Sequence, residues 1–216
     1  EMLLPVGFKG RNWAQALGSD LQNGLPLIAS YFDAPTRRRL MSVHLDWPLV
    51  AENIRKERLP QHPDILQRAT QMDFFNYLAE DILVKVDRAS MLNSLEIRAP
   101  MLDYRIIEFA FGKVPSRLKA TSSEKKILLK RLATRILPSE FNQERKQGFS
   151  IPLSNWLKMG SFRELFNEVL RDPGCSFDID TVNRLFHNQD NGHNNSERLF
   201  ALVLFELWRR EYAISL

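Results

Sequence analysis

At 216 residues, 44% of them hydrophobic and 26% charged, the chain has the size and composition of one substantial soluble domain with a true core. Its net charge of +4 (30 minus 26) is scattered apart from Arg37-Arg38-Arg39, which is weak evidence for any nucleic-acid partner and leaves a basic nucleic-acid-binding helical domain as the competitor from composition alone. A single cysteine, Cys175, excludes an intrachain disulfide framework and a multi-cysteine metal cluster, and no apolar run approaches the ~20 residues of a membrane span. A cytoplasmic protein in a reducing compartment is expected. The opening Glu-Met suggests a piece cut from something longer.

Helical periodicity dominates and strand patterns hardly occur, so the expected class is all-α, as one domain over residues 1–216. The first 60 residues, rich in Pro and Arg, suggest short helices near 35–43 and 47–57. Two more helices are expected over 62–78 and 80–92. On the second, Ile82, Leu83, Val86 and Ala89 form an apolar stripe. Asp81, Lys85 and Arg88 share another side at i, i+4 and i+7, the spacing of an exposed salt-bridge ladder. Asp87 lies at i±4 from Leu83 and Met91 and so borders the apolar face. The following LEIRAP cannot comfortably stay helical, because Pro100 pushes Ala99 toward an extended conformation. In an extended segment Glu96 and Arg98 project to the same side. Lying between apolar segments they are expected to be at least partly buried, and then either paired or facing a ligand.

Farther on, Thr121 and Glu124 have capping-box spacing before a helix carrying Leu128, Leu129, Leu132 and Ile136 and ending before Pro138. Ser161 and Glu164 repeat that spacing before Phe162, Leu165, Phe166, Val169 and Leu170, a helix stopped by Pro173-Gly174. Asp178 or Asp180 caps the next helix, whose inner face holds Val182, Leu185 and Phe186. After an Asn-rich loop, Asn195 or Ser196 caps a closing helix through Leu199, Phe200, Val203, Leu204, Leu207 and Trp208. There is no internal repeat, low-complexity tract, Gly-rich phosphate loop, His-Glu-x-x-His pair or nucleophile elbow. His187 and His193, six residues apart in a loop without thiols or carboxylates arranged around them, are expected to be solvated rather than metal ligands. No metal site is expected. From the residues alone, the charge between 78 and 110 is either a structural ion-pair network or the lining of a cleft.

The segment DILVKVDRASMLNSLEIRAPMLDYRIIEFA resembles the part that follows the ATP site in the synthetase domain of asparagine synthetases and their relatives, the β-lactam synthetases and lasso-peptide cyclases. The likeness continues in order through EKKILLKRLATRILPSEF, RKQGFSIPLSNWL and NNSERLFALVLFELWRREY, over roughly residues 74–212. It implies the C-terminal helical portion of an adenine-nucleotide α-hydrolase-like synthetase domain. Such enzymes activate a carboxylate with ATP and Mg²⁺ to an acyl-adenylate, release pyrophosphate, and let an amine attack to give an amide and AMP. Ammonia comes from glutamine, and aspartate is the default acceptor.

The family places a phosphate-contacting lysine in a Lys-x-Leu-Leu-Lys/Arg pattern, which Lys126-Ile127-Leu128-Leu129-Lys130 matches. Periodicity does not choose between Lys125 and Lys126; the motif register assigns the catalytic role to Lys126. By the same resemblance Asp87, Arg88, Glu96, Arg98 and Asp103 support the acceptor side of the cleft, and Arg145 and Lys146 the ATP site. Glu144 stands where the family usually has arginine. The Ser-Gly-Gly-x-Asp-Ser pyrophosphatase loop, the acidic Gly-Asp-Glu loop and the glutaminase with its leading cysteine are absent from these residues. The chain is therefore expected to bind neither ATP nor Mg²⁺ alone, to be inactive alone, and to need the glutaminase and pyrophosphatase-loop segments, in the same chain or a separate one. A stand-alone helical subunit and a non-catalytic binding module are the alternatives. Small carboxylates are the expected substrates, with no nucleic-acid or membrane partner, and homo-oligomerisation stays open.

Overall fold

Acidic N-caps and amphipathic spacing account for much of the helical structure in a computed structural model that describes residues 4–19, 30–41, 50–141 and 151–215, with only the backbone of Lys56. In chain order the helices are α1 (Arg11–Leu17), α2 (Ala34–Leu40), α3 (Val50–Glu57), α4 (Ile65–Asp73), a π-helical segment (Phe74–Ile82) and α5 (Leu83–Met91). After a 3₁₀ turn (Pro100–Leu102) come α6 (Tyr104–Gly112), α7 (Ser116–Lys119), α8 (Ile127–Ile136), α9 (Leu153–Trp156), α10 (Ser161–Arg171), α11 (Ile179–Asp190) and α12 (Ser196–Glu211). No β-strand occurs among the described residues; two isolated bridges, Met41 with Phe177 and Ala120 with Lys125, are all the β pairing they contain. The class is all-α, as the periodicity implies.

Local sequence signals succeed where a carboxylate has a free N–H to accept from. Asp33, Asp64 and Asp178 cap α2, α4 and α11, accepting from Thr36, Gln67 and Thr181 at 2.9, 3.0 and 2.8 Å. They fail at both capping boxes. The Thr121 hydroxyl accepts from Glu124 N at 3.0 Å, yet this closes a turn, and α8 begins only at Ile127. Ser161 is the first helical residue of α10, behind an N-terminal Gly160 at φ 89° that offers no side chain. The expected helices at 62–78 and 80–92 are one continuous helical run, because the π-helical segment carries the backbone through residues 78–82 without a break.

Two compact units are formed, residues 1–47 with 149–216, and residues 48–148. The first holds the principal core, in which α10, α11 and α12 pack against one another and bury Phe166, Leu170, Val182, Leu185, Phe186 and Leu199. Asn195, fully buried, donates through Nδ2 to the carbonyls of Val6 at 3.3 Å and Leu185 at 3.4 Å, tying the N-terminal stretch to this core. Gly7, at φ 91°, lies so close that a Cβ there would stand 2.6 Å from Asn195 Oδ1.

The buried face of α12 departs from the sequence expectation. Leu199, Leu202 and Val203 are buried, but Leu204, Leu207 and Trp208 are exposed, and Glu206 is fully buried in their place. Its Oε1 accepts from Arg209 Nη2 at 2.7 Å and Arg210 Nε at 2.9 Å, and its Oε2 from Arg209 Nε at 3.0 Å. The same guanidiniums reach backbone carbonyls: Arg209 Nη2 to Gly174 at 2.8 Å, Arg210 Nη2 to Val169 at 3.0 Å.

In the second unit the interior is thinner. Leu59, Met72, Val114 and Ile127 are its buried hydrophobics among the described residues. Buried Gln67 joins α4 to the turn after α6, donating to Val114 O at 3.0 Å, while its Oε1 accepts from Lys119 Nζ at 2.6 Å. The Lys119 ammonium also sits 4.7 Å from the Phe111 ring centroid.

Glu206→Ala should destabilise the chain by about 3–5 kcal/mol, the cost of stranding buried charge partners, measurable by chemical denaturation. Burial alone would raise the Glu206 pKa, but the hydrogen bonds from Arg209 and Arg210 bring it below the ordinary 4.5. Its contribution is therefore complete above about pH 4.5 and lost as pH falls through the lower folded-state value. The gap in melting temperature between wild type and Glu206→Gln should be constant near neutrality and narrow below about pH 4.5.

Candidate functional site

The charged segment singled out by sequence runs from the π-helical segment into α6, and the structure opens it to solvent. Asp81, Lys85, Asp87 and Arg88 are all exposed, and no ion pair joins them among the described residues. The expected apolar stripe beside them is open too: Ile82 is half-buried, while Leu83, Val86 and Ala89 are exposed. Periodicity identifies which helix face is apolar but not whether another element covers it.

The expectation that Glu96 and Arg98 are partly buried is corrected. Their side chains keep 71% and 84% of their accessible surface, and they pair with each other at 2.8 Å. The geometry behind the expectation holds, because Ala99 before Pro100 is extended (φ −104°, ψ 99°) and the two side chains share a side. The burial does not, since the apolar neighbours Leu95, Ile97 and Met101 are themselves exposed. Asp103 has an evident structural duty: it caps α6, accepting from Arg105 N at 2.9 Å and gripping the Arg105 guanidinium through both oxygens at 2.9 and 2.8 Å. These hydrogen bonds hold its pKa below the usual carboxylate value.

Lys126 is not on the flank of a helix, as the periodicity implies; it is the residue before α8. Its backbone is left-handed (φ 59°, ψ 35°), it is exposed, and no side chain caps the helix behind it. A non-glycine residue in this region is uncommon and carries a conformational cost. The unpaired N–H groups of the first turn of α8 and the positive end of the helix dipole therefore lie next to the Lys126 position. Lys125 is exposed as well, its backbone in the bridge with Ala120. Arg145, Lys146 and Glu144 lie outside the described residues.

The structure thus brings Glu96 to Arg98 and Asp103 to Arg105, and no hydrogen bond or ion pair among the described residues links Lys126 to any of these four. No group of three or more His, Cys, Asp and Glu among the described residues could hold a metal ion. A cavity of about 570 Å³ is lined by none of the sequence-derived site residues; it belongs to the first unit, between α1, α2 and α11. Sequence reasoning missed its residues, Arg11, Asp33 and Arg184 among them, because they come from segments about 150 residues apart that share no local pattern. The Arg37-Arg38-Arg39 run, which contributes Arg39, was the one available signal.

Comparison with known proteins bears on residues from both units. The profile of the family described as Asparagine synthase matches residues 9–210. The chain is 33% identical over 148 residues to a Mycobacterium tuberculosis protein named provisionally as a glutamine-hydrolyzing asparagine synthetase, covering 67% of this chain and 22% of that protein; a Mycobacterium bovis protein matches equally. It is 26% identical over 212 residues to asparagine synthetase (glutamine-hydrolyzing) 1 of Bacillus subtilis, covering 95% of this chain and 33% of that one. No solved structure matches. The chain spans between about a fifth and a third of the length of these relatives. A family profile satisfied across nearly the whole chain leaves one conclusion: the chain belongs to the asparagine synthase family.

Proposed function

We propose that the chain is the helical part of a glutamine-dependent, ATP-consuming amide-forming ligase, in which Lys126 contacts phosphate. Family membership supports the reaction class. The observation that carries the residue-level reading is the placement of Lys126: an exposed ammonium, on a left-handed residue, at the uncapped N-terminus of a ten-residue helix. Helix N-termini favour anions, and a fixed cation beside one adds to that preference. Glycine would fit a left-handed position more cheaply, so the conformational cost is one the lysine side chain has to justify.

ATP, when bound, supplies the leaving pyrophosphate that makes a carboxylate acylating. The share of this chain is a preorganised positive charge near the phosphates, where charge grows as the bond to the leaving group breaks. Asp87 and Arg88, and the mutually paired Glu96 and Arg98, are solvent-facing polar groups that would line the acceptor side. Asp103 acts through structure, by starting α6. Mg²⁺ finds no ligand set among the described residues, so we assign its binding to other segments of the enzyme, along with the glutaminase and the pyrophosphate-binding loop. Aspartate is the default acceptor. No described helix is long and apolar enough to cross a membrane, and we place the enzyme in the cytoplasm.

The exposed Leu83, Val86, Leu129 and Leu132 also suit a helical subunit that docks on a separate chain. Sequencing the gene upstream of the codon for Glu1 separates the two arrangements, since a continuous frame encoding a Ser-Gly-Gly-x-Asp-Ser run supports a single chain.

The isolated 216-residue protein should not catalyse carboxylate-dependent exchange of pyrophosphate into ATP; exchange above background would refute the division of labour. In the complete enzyme at saturating ATP, Lys126→Ala should lower the adenylation rate by ~10²–10³, as expected when one preorganised donor to a charged transition state is removed. Lys126→Arg should rescue only in part, Lys125→Ala should cost little, and Lys126→Gly should be inactive yet at least as stable as wild type. Activity in Lys126→Ala with loss in Lys125→Ala would move the role by one residue.

A further inference from the structure

We propose that the cavity between α1, α2 and α11 is a binding site for a small organic anion, one carrying a carboxylate or phosphate on a short apolar stem. Three arginines, Arg11, Arg39 and Arg184, and one carboxylate, Asp33, line a space of about 570 Å³. That volume is within the range of small-molecule sites.

The lone carboxylate is already committed. Asp33 Oδ2 accepts from Arg11 Nη2 at 2.7 Å and from Gln15 Nε2 at 2.6 Å, and Oδ1 accepts from Thr36 N at 2.9 Å. These bonds, opposing the effect of burial, keep Asp33 ionised below the ordinary carboxylate range. Asp178 lies near enough to Arg184 to offset part of its charge, so Arg39 and part of Arg184 are left without a carboxylate partner. Arg11 is 6% exposed, and its Nε has no hydrogen-bond acceptor among the described residues. Arg39 forms no ion pair or side-chain hydrogen bond among them, and Arg184 spends one N–H on the Thr181 hydroxyl at 2.8 Å. The buried Arg11 charge is met by Asp33, but its orphaned Nε–H carries a desolvation cost that an acceptor on a ligand would relieve.

The surroundings reinforce the sign of the field. Arg198, half-buried, is held below its usual pKa first by burial and then by the nearby Arg11 charge. Two of its five N–H groups donate to the carbonyls of Tyr31 at 2.6 Å and Asn194 at 3.0 Å, which fixes its charge beside Arg11. Leu4, Val6, Pro35 and Leu185 also line the space, and this apolar lining favours an anion with a stem over a bare inorganic ion. Lys126, assigned above to phosphate, belongs to the other compact unit and does not line the cavity.

The test uses the full 216-residue chain and three probes: hexanoate, hexyl phosphate and, as the uncharged control, 1-hexanol, titrated calorimetrically at low ionic strength. Saturable one-to-one binding of at least one anion is expected, with none for hexanol, and the tighter anion identifies the head group. Arg39→Ala and Arg184→Ala should each weaken that binding ~10-fold, the scale of a lost charge-assisted hydrogen bond. Both side chains are exposed, so the melting temperature without ligand should not change. Arg131→Ala with Arg135→Ala, the same charge change in the other unit, should leave binding intact. Absence of saturation by both anions, equal binding of hexanol, or undiminished affinity in the Arg39 and Arg184 variants would each overturn the proposal. These outcomes do not depend on ligase activity, and so stand or fall apart from the assignment of Lys126.

Discussion

The fully buried carboxylate of Glu206 is the constraint on which the larger unit depends. An ionised group removed from water must have its lone pairs filled, and here two arginines from the next turn of the same helix fill them. Those arginines still have donors to spend, and they spend them on the Gly174 carbonyl in the turn after α10 and on the Val169 carbonyl within it. One buried charge thus fixes the roll of α12, the end of α10 and the path of the chain into α11. The apolar core of Phe166, Leu170, Phe186 and Leu199 provides most of the stabilisation, but it would tolerate small rotations that the Glu206 network forbids.

The second unit is organised differently, and its organisation bears on function. Gln67, Lys119 and Val114 O tie its helices by hydrogen bonds, while Leu83, Leu95, Ile97, Leu129 and Ile136 remain exposed. Every residue that the resemblance marks for chemistry and that the structure describes lies in this unit. Few buried apolar contacts and solvent-facing side chains are the physical signature of low local stability, which suits residues that have to meet other segments and a substrate. Lys126 shows the same economy at one position: its left-handed backbone, at the residue before α8, costs stability.

Capping was legible where a single side chain and a single N–H decide it, as at Asp178, and illegible where two outcomes share the same local contact. Thr121 makes the hydrogen bond that a capping box predicts, but the chain turns instead of starting a helix, and the helix begins six residues later. The pairing of Glu96 with Arg98 followed from alternation in an extended segment, whereas their exposure depended on whether distant elements cover them. The cavity between α1, α2 and α11 was out of reach for the same reason: Arg11 and Arg184 meet only because the core brings their helices together.

Composition, periodicity and ordered motifs by themselves determined that the chain is helical and that it belongs with the asparagine synthases. These properties are local or are sums over residues, so they survive without knowledge of contacts. Tertiary structure alone decided that Glu206 is buried while Leu207 is exposed, that Glu96 and Arg98 face water, and that Lys126 precedes its helix in a left-handed conformation. Each of these is set by which segments become neighbours, and the free energy of burying or exposing a group belongs to that neighbourhood, not to the residue that carries it.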